Sequence, residues 1–72
     1  MADYRKVLAD NVKRVRKELD LSQEALALDA GIDRTYISGI ERAKRNPSLM
    51  LIVKLAERLK TTPSVLLTSA KK

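Results

Sequence analysis

Cysteine and histidine are both absent from this chain of 72 residues, and the two absences remove whole classes of chemistry. Without thiols or imidazoles there is no disulfide, no Cys or His metal site and no histidine-activated nucleophile. Tryptophan and phenylalanine are also missing, so Tyr4 and Tyr36 are the aromatic residues. Single-stranded nucleic acid and RNA recognition lean on aromatic stacking platforms and are therefore disfavoured. Glycine and proline number two each, at Gly31, Gly39, Pro47 and Pro63, and they punctuate a chain without strand signals. No apolar run approaches the roughly 20 residues that span a bilayer, so no membrane partner is expected. The charged Asp3, Arg5 and Lys6 stand where a secretory signal would be apolar, which implies a cytoplasmic, nucleoid-associated address.

What the chain does contain is positive charge and enough apolar mass to fold. Fifteen Lys and Arg against nine Asp and Glu give a formal charge of +6, and a surplus of that size attracts polyanions. At 44% hydrophobic residues the chain is not a disordered basic tail. A length of 72 residues fits one domain, residues 1–72, near the lower size at which a core alone suffices.

Apolar periodicity predicts an all-α fold of five helices. Tyr4, Leu8, Val12, Val15 and Leu19 recur at spacings of three and four and line one face of a first helix, with Lys6, Lys13 and Lys17 opposite. Ser22 caps a second helix running from Gln23 to about Asp29, which Gly31 ends in a left-handed conformation. Asp33 caps a third, from Arg34 to about Arg42. Asn46 before Pro47 is pushed extended, and Ser48 caps a fourth helix that turns Leu49, Ile52, Val53, Leu55, Ala56 and Leu59 inward and ends near Lys60. Thr62 and Pro63 open a short fifth helix to Leu67, and Thr68 to Lys72 is expected to fray.

Two short helices joined by Gly31-Ile32 have helix-turn-helix spacing, at about residues 23–42. On a wheel of the third helix Ile37 and Ile40 point inward, while Arg34, Thr35, Ser38, Gly39 and Arg42 share the outward side. A slender polar edge of this kind suits a groove about 12 Å wide. Gly39 in a helix interior costs roughly 1 kcal/mol, and either a close approach of the sugar-phosphate wall or simple relief of packing could explain it.

Leu21-Ser22-Gln23-Glu24-Ala25-Leu26-Ala27, Gly31-Ile32, Tyr36-Ile37-Ser38-Gly39-Ile40-Glu41-Arg42 and Arg45-Asn46-Pro47-Ser48 together resemble the phage-repressor (Cro/C1-type, XRE-like) helix-turn-helix family. Within it the chain is most similar to the controller proteins of restriction-modification systems, through the run Asp33 to Ser38. The resemblance implies a compact lambda-repressor-like domain that binds double-stranded DNA and regulates transcription as a homodimer on a palindromic operator. Occupancy of the promoter would then recruit or exclude RNA polymerase. Phage-type repressors share such runs, as do antitoxin-like protein-docking modules with DNA autoregulation, so those alternatives stay open.

Against chemistry, the resemblance assigns base reading to Arg34, Thr35 and Ser38. The Arg34 fork can hold guanine O6 and N7, a contact worth about 1 to 3 kcal/mol of discrimination. Gln23 matches the family position that holds a backbone phosphate at a helix start. Arg42, Lys44, Arg45 and Asn46 form a cationic connector suited to clamp phosphates, and Tyr36 either reaches a phosphate or packs half-buried. Glu24, Asp29, Asp33 and Glu41 leave 23–41 net negative, so the connector supplies charge that the motif lacks. The resemblance also pairs Glu41 with Arg16 on the first helix.

Helices four and five carry more apolar surface than one core can bury. Met50, Leu51, Val65 and Leu66 are therefore the candidate homodimer surface, within about residues 49–67. An enzyme is not expected: Ser22, Ser38 and Ser48 have no histidine to activate them, and no phosphate-binding glycine loop or paired acids occur. No cofactor and no metal are called for.

Overall fold

Short polar side chains start every helix of the computed structural model, which describes residues 3–69. Asp3, Ser22, Asp33, Ser48 and Thr62 each sit in extended backbone and accept a hydrogen bond from a first-turn amide. They open α1 (Tyr4–Glu18), α2 (Gln23–Ala30), α3 (Arg34–Glu41), α4 (Leu49–Arg58) and α5 (Pro63–Leu66). Asp3 is a cap that the apolar spacing does not mark. The others stand where the spacing predicts them, with each helix end within a residue or two. The predicted fraying segment runs on into 70–72, outside the described residues.

Reversal at the helix ends is less conventional. Gly31 takes the left-handed conformation as expected (φ 71), but Asp20, Ala43 and Lys60 do so as well, with φ of 58, 59 and 58. Each lets the next amide close back on the helix: Leu21 donates to the Arg16 carbonyl, Ile32 to Ala27, Lys44 to Gly39 and Thr61 to Ala56, at 2.8 to 3.0 Å. The left-handed conformation costs an ordinary residue about 1 to 2 kcal/mol, which the closing bonds and the packing beyond them offset.

One core gathers residues from all five helices. Leu8, Val12 and Val15 of α1 meet Leu26 and Ala30 of α2, Ile37 and Ile40 of α3, Ile52, Leu55 and Ala56 of α4, with Leu59 just past it, and Leu66 of α5. Helix α1 packs on α3 and α5, α2 on α3 and α4, and α4 on α5. At about 1.5 to 3 kcal/mol for each large aliphatic buried, this cluster is the main source of stability. Val53, placed inward by periodicity, is only half-buried outside this cluster, and three more so placed, Tyr4, Leu19 and Leu49, are exposed. These three occupy the first turn of α1, the cap of α1 and the first position of α4, where the helix has not reached or has already left the core.

Asn11 is one of three buried polar residues, with Arg16 and Glu41. Its amide donates to the carbonyls of Val65 (3.2 Å), Leu66 (2.8 Å) and Thr68 (2.9 Å), while its own oxygen accepts from Arg14. Those carbonyls lie at and just beyond the end of the four-residue helix α5, where the Val65 carbonyl also accepts from the Thr68 amide at 3.3 Å. Asn11 therefore ties the last helix to the first, and it draws Leu66 fully into the core.

Candidate nucleic-acid interface

Helix α3 is clamped at one end and open at the other. At its carboxyl end Glu41 is buried against Arg16 of α1, with Arg16 Nε donating to Oε2 at 2.6 Å and a terminal nitrogen to Oε1 at 2.9 Å. The second terminal nitrogen of Arg16 donates to the Leu21 carbonyl at 2.7 Å, so the planar fork also holds the connection into α2. Burial pushes the Glu41 carboxyl up, but hydrogen bonds from Arg16 and Gln23 and the charges of Arg16 and Lys13 outweigh it. The group is held below the ordinary glutamate range. The same hydrogen bond raises the Arg16 pKa against the opposing effect of burial. The pair expected between these two residues is thus present, and it differs from the exposed pairs of α1, Lys6–Asp10 and Arg14–Glu18, which contribute little.

From Glu41 the network continues to the opposite end of the unit. Gln23 Nε2 donates to Glu41 Oε1 at 3.1 Å, and Gln23 Oε1 accepts from Arg34 at 3.4 Å. Gln23 is half-buried and engaged within the protein rather than extended as a bare phosphate ligand. Arg34 and Thr35 are exposed at the amino end of α3, and Ser38 is half-buried one turn on. Asp33 uses its carboxylate to cap the Thr35 amide, leaving Arg34 to turn toward Gln23.

The cationic connector folds back over the same helix. Arg42, Lys44, Arg45 and Asn46 are all exposed, while Pro47 is buried and anchors the far end of the loop. Arg42 donates from Nε to the Ser38 carbonyl at 3.3 Å. Arg45 lays its guanidinium over the half-buried Tyr36 ring, 5.1 Å from the centroid.

Two expectations need correction. The helical wheel puts Gly39 on the outward edge of α3, yet it is buried: a Cβ at this position would lie 2.8 Å from Arg45 Cγ. The stem of Arg45 fills the space that an approaching sugar-phosphate wall would need, because the loop doubles back after Ala43. The apolar run puts Leu66 on the dimer surface, yet it is wholly buried, in the helix that Asn11 ties to α1. Met50 and Val65 are exposed, at 72% and 41%, and Leu51 is half-buried at the edge of the core. The signal for Asn11 was its place on the apolar face of α1, beside Leu8, Val12 and Val15.

No helix among the described residues is long and apolar enough to cross a membrane, and no cluster of acidic residues there could hold a metal ion. A polar helix edge presented beside a cationic loop, with its other end bolted to a scaffold helix, is the construction of a helix-turn-helix regulator. The chain belongs to the helix-turn-helix (HTH_3) family, whose pattern matches residues 12–66. It is 44% identical over 66 residues to the control protein C.SmaI of Serratia marcescens, covering 92% of this chain and 79% of that one. The crystal structure of a hypothetical transcription factor from Neisseria superposes with a TM-score of 0.91 at 41% identity, over 94% of this chain and 78% of that one. The restriction-modification controller protein C.Esp1396I, solved as a tetramer on its natural 35 base-pair operator, superposes with a TM-score of 0.81 at 32% identity, over 92% of this chain and 87% of that one.

Proposed function

We propose that this protein is a sequence-specific regulator of transcription of the restriction-modification controller kind, binding a palindromic operator in double-stranded DNA as a homodimer. The observation that carries this reading is the exposed amino end of α3, with Arg34 and Thr35, held in place by the buried Arg16–Glu41 pair. Residues 1–72 act as one DNA-binding unit. Arg34, Thr35 and Ser38 face base edges in the major groove. Arg42, Lys44, Arg45 and Asn46 engage phosphates alongside, joined by Tyr36 and by the amide-rich start of α2 at Gln23. Two copies meet through Met50, Leu51 and Val65, which sets their recognition helices roughly 34 Å apart, one turn of the duplex. Position on the promoter then decides whether RNA polymerase is recruited or excluded, in the cytoplasm where the nucleoid lies.

The similarity to control proteins and to a controller solved on its operator supports the choice of DNA over a protein-docking role. Selection of bound sites from a random duplex library tests the reading. A palindromic consensus with half-sites about one helical turn apart is expected. Retention of all sequences alike would refute it.

A further inference from the structure

Gly39, Tyr36 and Arg45 form an arrangement that phosphate clamping alone does not require. Gly39 lies one turn beyond Tyr36 on α3, so the two share a face. The chain reverses at Ala43 (φ 59), and the Lys44 amide closes on the Gly39 carbonyl at 2.8 Å. Arg45 then runs back along that face. Its Cγ, Nε and Cδ lie 2.8, 3.1 and 3.4 Å from where a Gly39 side chain would begin, and its guanidinium covers the Tyr36 ring at 5.1 Å. Any side chain at 39 would therefore have to move Arg45.

We infer that the missing side chain of Gly39 and the ring of Tyr36 make a seat that holds Arg45 along the recognition helix, so that the connector's guanidinium meets DNA already oriented. A free loop arginine must surrender several rotamers on binding, and a seated one has surrendered them in folding. Gly39 and Tyr36 are thus positioning residues for Arg45. This rests on the DNA-binding reading above.

The test is a double-mutant cycle on the selected duplex, with Gly39→Ala, Arg45→Ala and both together, alongside thermal melting and the salt dependence of affinity. Gly39→Ala improves helix propensity, so its melting temperature is expected to equal or exceed that of the parent. Its affinity is nonetheless expected to fall about fivefold, as the oriented guanidinium is lost. In the Arg45→Ala background the same change should do nothing. Arg45→Ala should lower the salt slope by about 1, whereas Gly39→Ala, which keeps the charge, should lower it by less. Equal losses from Gly39→Ala with and without Arg45, or no loss from it at all, would overturn the seat. Failure of the parent to prefer any duplex would instead overturn the DNA reading, so the two failures are distinguishable.

Discussion

The two ends of α3 are built on opposite principles. At the carboxyl end Glu41 is 5% exposed and bonded to Arg16 and Gln23; at the amino end Arg34 and Thr35 stand in solvent with one long contact between Arg34 and Gln23. The buried end fixes where the helix points, and the exposed end retains donors for an outside partner. A reading helix needs both, because a base contact is informative only if the backbone that carries it cannot shift. The contrast also says that stability and specificity should separate along eight residues of one helix.

Glu41→Ala is the hardest test of that separation. It leaves the Arg16 guanidinium buried without its partner, and a loss of about 3 to 5 kcal/mol in unfolding free energy is expected by denaturant titration. An unchanged melting temperature would erase the distinction between the two ends. Acid probes the same pair without mutation. Because the folded pKa of Glu41 lies below the ordinary value of 4.5, its stabilisation is complete above that pH and is lost as pH falls through the lower folded value. Glu41→Gln should flatten the decline of melting temperature with acid in that window relative to the parent.

At the open end the expected effect is smaller and of another kind. Arg34→Ala should leave the melting temperature alone and remove about 1 to 3 kcal/mol of discrimination at one base pair of each half-site. Lys44→Ala should weaken all duplexes evenly and lower the salt slope by about 1. Competition binding against single-base variants separates the two, and an even loss from Arg34→Ala would mean that it holds a phosphate. The smallest expected change is a gain. Ala43→Gly relieves a left-handed residue and should add about 1 kcal/mol of stability, read as a raised melting midpoint.

Much of this was legible without coordinates. Ser22, Gly31, Asp33, Ser48 and Thr62 carry their message within three or four residues, and each marks the helix end assigned to it. The pairing of Arg16 with Glu41 came from family resemblance, since nothing local joins residues 25 apart. The role of Asn11 is not legible in the sequence, because its acceptors lie 54 to 57 residues away and come within reach only once α5 has docked. Leu66 is illegible for the same reason: a run of Val65, Leu66 and Leu67 does not say which member faces the core. A helical wheel shows Gly39 facing outward because it has no place for a loop that folds back over the helix.

The amino-acid order by itself determined the helices, their caps and the helix-turn-helix spacing, because these depend on backbone donors and side chains a turn or less apart. Only the tertiary structure decided which polar groups are enclosed, where Leu66 goes and that Arg45 covers Gly39. Burial and long-range hydrogen bonds depend on what distant segments bring to the same place, and that is a property of packing rather than of any stretch of chain.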